Sequence, residues 1–174
     1  MPGVGLRNGR HLRDQLGGGV LERNIVTRTN SAENLVGYDA TAVKIFNQSY
    51  NVVCRENLII DNPNASGVWY DVGNVDGVFV NNWVETTDNG FFFEISKGAI
   101  CAGNVFVNCG TGVRVLNSSG VQVYQNIFYN SEAAFQRSAR SHEEGDHFGW
   151  HASAGPYVEE RDRHVFIEQS GGSG

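Results

Sequence analysis

The sequence predicts an all-β chain wound as a parallel β-solenoid, and three observations carry the prediction. The first is composition. Gly (22) and Asn (18) make 40 of the 174 residues, and Val (21) outnumbers Leu plus Ala (18). Val, Asn and Gly are mediocre or poor helix formers, so a helical bundle is excluded and turn-rich β-structure is favoured. The second is a repeat. Asn24, Asn57, Asn82, Asn104 and Asn126 recur at spacings of 33, 25, 22 and 22 residues, most clearly in Asn57-Leu-Ile-Ile-Asp-Asn, Asn104-Val-Phe-Val-Asn and Asn126-Ile-Phe-Tyr-Asn. The third is what flanks each Asn: a short apolar run before it (Val52-Val-Cys-Arg, Val78-Phe-Val, Ile100-Cys-Ala, Val121-Gln-Val-Tyr) and, in most units, a second after it (Gly67-Val-Trp-Tyr-Asp, Gly90-Phe-Phe-Phe-Glu, Gly112-Val-Arg-Val-Leu). Short strands, Asn-rich corners and a period in the low twenties describe one coil of a solenoid.

From the N-terminus, Met1-Pro-Gly-Val-Gly-Leu lacks the apolar core of a secretory signal. The chain is therefore expected to be cytoplasmic, or extracellular or periplasmic if a longer parent protein carries a signal peptide. Arg7, Arg10, His11 and Arg13 form the one basic cluster, read as a solvated face. With a formal charge of −6 and only 2 Lys beside 11 Arg, the chain has no basic stripe for nucleic acid. No apolar run approaches the ~20 residues of a membrane span. Three cysteines do not make a disulfide framework. Residues 1–169 are expected to form a single β-helix domain of about five coils, part of a longer protein. Ser170-Gly-Gly-Ser-Gly174 is expected to be a linker-like tail.

Aligning the coils on Asn assigns the columns. Cys54, Phe79, Cys101 and Val123 fall in one, and Ile59, Val84, Phe106 and Phe128 in another. In the following strand Val43, Val68, Phe91 and Val113 align, as do Ile45, Tyr70, Phe93 and Val115. Strand alternation turns these columns into the core. Cys54 and Cys101, two coils and ~9.6 Å apart, are too distant for a disulfide and read as small buried residues. A recurrent inward Asn can bond backbone groups and the Asn of the next coil, as in stacked amyloid strands.

The alternate positions must face outward. Lys44, Trp69, Phe92 and Arg114 form one such column, and Phe46, Asp71, Glu94 and Leu116 the next. Exposed Trp69 and Phe92 suit the apolar face of a sugar ring. Asp71 and Glu94, one coil apart, stand ~4.8 Å from each other, where like charges destabilise a sheet. Retaining glycosidases need two carboxyl groups ~5–5.5 Å apart and inverting ones ~6.5–9.5 Å, so this spacing predicts retention. The alternative is that Asp71 and Glu94 are solvated residues paired with Lys97 or Arg114.

The repeat over roughly residues 19–137 resembles the right-handed parallel β-helix, pectate-lyase-like family. Gly67-Val-Trp-Tyr-Asp71-Val-Gly-Asn74 and Gly90-Phe-Phe-Phe-Glu94-Ile-Ser-Lys-Gly98 resemble the active-site coils of family 120 β-xylosidases, which are β-helical glycoside hydrolases. The resemblance implies a retaining, exo-acting enzyme with Asp71 as nucleophile and Glu94 as acid/base, acting on an oligosaccharide or polysaccharide without cofactor or metal. Trp69 and Phe92 would stack the sugar, and Lys44 or Arg114 would bind hydroxyls or orient a carboxylate. A polysaccharide lyase, with Lys44 or Arg114 as base, is a second reading, although two carboxylates fall short of the six to eight oxygens Ca²⁺ takes. A non-catalytic carbohydrate-binding solenoid is the third.

After Ser131 the repeat dissolves. Ser141-His-Glu-Glu-Gly-Asp-His-Phe-Gly-Trp-His151 reads as a long loop that could wall a sugar site with His147, Trp150 or His151. Zinc is disfavoured, because Glu does not follow His147 and no third ligand is evident. Arg161-Asp-Arg-His-Val-Phe-Ile167 reads as the return to a strand. Polygalacturonase chemistry lacks its Asp-Asp pair and Gly-His-Gly, and Gly17-Gly-Gly19 does not open a phosphate loop.

Overall fold

A computed structural model describes residues 17–46, 48–138 and 160–173. The chain coils through three parallel sheets. The first coil is β1 (Val20–Glu22), β2 (Ile25–Thr27), a short 3₁₀ turn (Gly37–Asp39) and β3 (Thr41–Phe46). The second is β4 (Val53–Arg55), β5 (Leu58–Asn62) and β6 (Ser66–Asp71). The third is β7 (Val75–Val80), β8 (Trp83–Thr87) and β9 (Asn89–Glu94). The fourth is β10 (Lys97–Ala102), β11 (Val105–Val107) and β12 (Thr111–Leu116). The fifth is β13 (Ser119–Tyr124), β14 (Ile127–Tyr129) and β15 (Ala133–Gln136). A sixth begins with β16 (Val165–Ile167) and β17 (Ser170–Gly172). Sheet A stacks β1-β4-β7-β10-β13-β16, sheet B stacks β2-β5-β8-β11-β14-β17, and sheet C stacks β3-β6-β9-β12-β15. This is the predicted parallel β-helix, with the strand after Arg161 where expected.

The residue columns hold as aligned. Cys54 pairs with Phe79, Phe79 with Cys101 and Cys101 with Val123 in sheet A. Ile59, Val84, Phe106 and Phe128 register in sheet B. These columns and those of Val68 and Tyr70 form one core, with Val43 and Ile45 of the first coil partly buried against it. Phe79 stacks on Phe91, and Phe106 on Phe128, each at 5.2 Å between centroids. The outward columns of sheet B run Ile25–Leu58–Trp83–Val105–Ile127 and Thr27–Ile60–Glu85–Val107–Tyr129.

The coils are locked at their corners. At the A–B corner a residue with positive φ precedes each ladder residue: Arg23, Glu56, Asn81, Gly103, Gln125 and Glu168. The next side chain then turns inward. Asn57 donates from both backbone N and Nδ2 to Asn82 Oδ1 (3.0 and 2.9 Å), and Asn82 does the same to Asn104 Oδ1 (2.9 and 3.0 Å). Asn104 repeats it on Asn126 Oδ1, at 2.9 Å for both bonds. The second Nδ2 hydrogen reaches back to the preceding coil, from Asn82 to Cys54 O and from Asn104 to Phe79 O. Asn57, Asn82 and Asn104 are thereby each satisfied on every side-chain polar atom.

Two features go beyond the expected Asn ladder. Gln169 takes its next rung, accepting from Asn126 N at 3.0 Å. The Ser170–Gly172 segment, expected as a linker-like tail, is set down by that rung on β14 and becomes β17. The other corners carry quieter stacks with the same geometry. Asn74 N donates to Ser96 Oγ and Ser96 N to Ser118 Oγ, at 3.0 and 3.1 Å. At the B–C corner Cys109 N donates to Ser131 Oγ at 2.9 Å. Gly90 is required where sheet C begins, because a Cβ there would stand 2.5 Å from Gly112 O.

Asn104→Ala orphans the two donors on Asn82 and the Phe79 carbonyl in the interior. At ~1–3 kcal/mol per unsatisfied group, it should cost about 3 kcal/mol or more in urea denaturation. Asn24→Ala, at the exposed end of the ladder, should cost about 1 kcal/mol or less.

Candidate functional site

The outer face of sheet C carries the predicted columns in the predicted register. Lys44 pairs with Trp69, Trp69 with Phe92 and Phe92 with Arg114. Beside them Phe46 pairs with Asp71, Asp71 with Glu94 and Glu94 with Leu116. The expectation that these residues face solvent needs correction. Trp69 and Phe92 are 4% exposed, Asp71 4% and Glu94 5%. Every residue of β6 and β9 is buried, on both faces of the sheet. Period-two alternation tells which side of the sheet a residue occupies, but not whether a further layer lies over that side.

Trp69 and Phe92 stack at 4.5 Å with their planes 23° apart. Lys44 Nζ lies 4.0 Å from the Trp69 ring, and Arg114 Cζ lies 4.8 Å from the Phe92 ring. The stack is thus bracketed by cations, each attracted to an aromatic face. Lys44 Nζ also lies 3.0 Å from Asp71 Oδ2. The expected partners of the carboxylates were Lys97 or Arg114. Lys44, two residues before Phe46 in the coil below, takes Asp71 instead. Arg114 donates from Nε to Gln136 Oε1 at 3.1 Å.

Asp71 is surrounded by opposing influences. Burial pushes its pKa up, and this prevails over Lys44, the Val72 backbone N–H and a hydrogen bond with Glu94, which all favour the ionised form. Two carboxyl groups this close favour a state in which only one of them is ionised. The backbone turns sharply after each: Val72 and Ile95 have φ of 56° and 49°. Positive φ is unfavourable for β-branched residues, and here the corner's hydrogen bonds impose it. Val72 N donates to Glu94 O and Ile95 N to Leu116 O. His147, Trp150 and His151, with the basic cluster Arg7, Arg10, His11 and Arg13, lie outside the described residues.

The stacked corners and in-register core define a parallel β-helix repeat protein. Over residues 7–158 the chain matches the family described as "Periplasmic copper-binding protein (NosD)", and it belongs to that family. No curated protein and no solved structure gives a match.

The described coils do not fit copper. Among the described residues no group of three or more His, Cys, Asp or Glu side chains gathers to hold a metal ion. Cys54, Cys101 and Cys109 are buried free thiols on separate coils or corners. Burial pushes Cys54 up to about 11 and raises Cys101 as well, which opposes the thiolate a metal requires. Cys109 Sγ accepts from the Thr87 hydroxyl at 3.4 Å, and His164 Nδ1 accepts from Val121 N at 3.3 Å. The cysteines are coil-packing residues.

Two outcomes are expected. A thiol reagent such as DTNB should label none of the three cysteines in the native protein and all three after unfolding. Asp71 takes up a proton on folding, so the stability held by its protonated form is lost as pH rises from its ordinary value of 3.8 through the raised one. Denaturation from pH 4 to 7 should therefore show wild type losing stability relative to Asp71→Asn.

Proposed function

We propose that this protein is a carbohydrate-binding β-helix whose site is the outer face of sheet C. The observation that carries the reading is the in-register set of Lys44, Trp69, Phe92 and Arg114 beside Asp71 and Glu94. Sugar rings offer an apolar face to aromatic side chains, and their hydroxyls suit charged donors and acceptors. The closed carboxyl pair supports binding without turnover. Retention needs ~5–5.5 Å between the carboxyl groups, with the anomeric carbon reached from both. Here Glu94 is hydrogen-bonded to Asp71, and Lys44 neutralises Asp71. Because the aromatic pair is buried, ligand binding requires this face to open, and the affinity is reduced by the cost of opening. The copper in the family's description has no ligand cluster to receive it among the described residues.

A second reading, retaining glycoside hydrolysis of the β-xylosidase type, is favoured by one observation. Two in-register carboxyl groups sharing a proton supply one ionised and one protonated group, which is what a nucleophile (Asp71) and an acid/base (Glu94) need. A lyase has less support, because Lys44, a candidate base, is held by Asp71.

Glycan-array binding and turnover of aryl glycosides, xyloside first, separate these readings on wild type, Asp71→Asn and Glu94→Gln. The expected result is binding without turnover, changed only a few-fold by Glu94→Gln. Turnover abolished by Glu94→Gln would establish the hydrolase. Neither binding nor turnover in a folded protein would sink both.

A further inference from the structure

We infer that the outer face of sheet B is a self-association surface that seats a second copy of this chain. The inward residues of this sheet, Ile59, Val84, Phe106 and Phe128, are fully or nearly fully buried. Their neighbours on each strand therefore point outward, in the two columns described above. Eight of those ten outward positions are apolar, Thr27 and Glu85 being the others. Ile25 is 70% exposed, Trp83 43%, Ile127 49% and Tyr129 42%. A strand with one wet face alternates apolar and polar residues. Leu58-Ile-Ile, Val105-Phe-Val and Ile127-Phe-Tyr are apolar on both faces, the pattern of strands covered on both sides. On sheet C the same pattern, in Val68-Trp-Tyr and Phe91-Phe-Phe, accompanies burial of both faces. On sheet B the outer face is open, so strands with the pattern of covered ones stand without a layer over them.

Charge selects the occupant. A net charge of −6 makes two copies repel over most of their surfaces. The two outward columns of sheet B contain one charged side chain, Glu85, whose Oε2 already accepts from Trp83 Nε1 at 3.0 Å. This is a face on which two copies can meet without stacking carboxylates. A two-fold axis parallel to the solenoid axis sets the first column of one copy against the second column of the other, coil by coil. Trp83 then meets Glu85 of the second copy, and the indole donor has a carboxylate to answer it on either chain. The other two-fold, centred on the face and reversing the coil order, sets Glu85 against its own copy and is disfavoured. The geometry is that of two sheets packed face to face ~10 Å apart. Five strands ~4.8 Å apart and three residues wide make a face of only ~240 Å², against ~800 Å² per partner in a standard interface. The dimer is therefore weak and concentration-dependent.

Sedimentation equilibrium from micromolar to near-millimolar chain tests this, with Trp83 fluorescence followed in parallel. Wild type should pass from monomer to dimer as Trp83 emission shifts to the blue. Trp83→Glu and, separately, Ile127→Glu should weaken the dimer about tenfold or more, while Gln122→Glu on the outer face of sheet A should not. Circular dichroism checks folding, and if Trp83→Glu fails to fold, Ile127→Glu and Tyr129→Lys decide. A wild type monomeric throughout, or both sheet B variants dimerising like wild type, would overturn the inference. A chain that stays monomeric but binds neutral vesicles or insoluble polysaccharide through Trp83 would overturn it too, by naming a different occupant.

Discussion

Everything in this molecule hangs on the corner at which one coil hands its register to the next. Each coil is built from strands of only three to six residues, too short to stay paired alone. What holds them is a repeated pair of residues. The first takes positive φ and bends the chain. The second turns a small polar side chain inward, where its oxygen accepts the backbone N–H of the coil before. The Asn ladder is the strongest version, because an amide accepts from one neighbouring coil while it donates to both its neighbours. Ser96, Ser118 and Ser131 achieve the acceptor half of the same link with a hydroxyl. The interior of a coil is otherwise apolar, so an unanswered amide there would cost more than the ladder bond contributes. That asymmetry fixes one register and penalises every slip.

The site follows from that constraint. Once the corners fix the register, outward residues stack at the coil spacing whether or not their charges agree. Asp71 stands over Glu94 because Asn74 and Ser96, three and two residues later, dock into the same corner. The conflict is relieved locally: burial raises the pKa of Asp71, and Lys44 reaches across from the neighbouring coil to lie 3.0 Å from it. The cation–aromatic–aromatic–cation order of the adjacent column has the same origin. The turns after both carboxyls pass through Val72 and Ile95 in a conformation disfavoured for β-branched residues. Local preference yields there to the hydrogen bonds of the corner.

The legibility of the fold in the sequence has the same cause. A register set once per coil leaves a period, so the position of Asn57 predicts those of Asn82, Asn104 and Asn126, and with them every core column. Legibility fails where the period stretches. Gln169 follows Asn126 by 43 positions, and the rung is taken by a longer amide, so Ser170–Gly172 reads as a tail although it closes on β14. The Ser and Cys stacks at the other corners are equally periodic, but Ser131 and Cys109 share no side-chain type to betray them. The site was legible as a set of columns and illegible as an environment. Alternation assigns Trp69 and Asp71 to the outer side of the sheet. Burial of that side depends on layers that no local period encodes. The same logic could have flagged sheet B, where apolar residues occupy both faces of Val105-Phe-Val.

Family membership and chemistry lie on opposite sides of the wall. The match spans residues 7–158, and in the described part of that span the inward residues repeat coil by coil: ladder amides and an aromatic and aliphatic core. Those residues are constrained by stacking and would recur in any solenoid of this period. Binding and catalysis are assigned by the residues between them, which the wall leaves free to vary. A description such as copper-binding therefore has to be tested on the outward and buried donor atoms of this chain. The three thiols fail that test through burial and separation, since each is spent on packing or on a corner. The outer columns of sheet C hold two carboxyls, two cations and two stacked rings across four coils. A fold that repeats its inside this strictly can change its ligand by replacing side chains on one outer face, without disturbing a rung of the ladder.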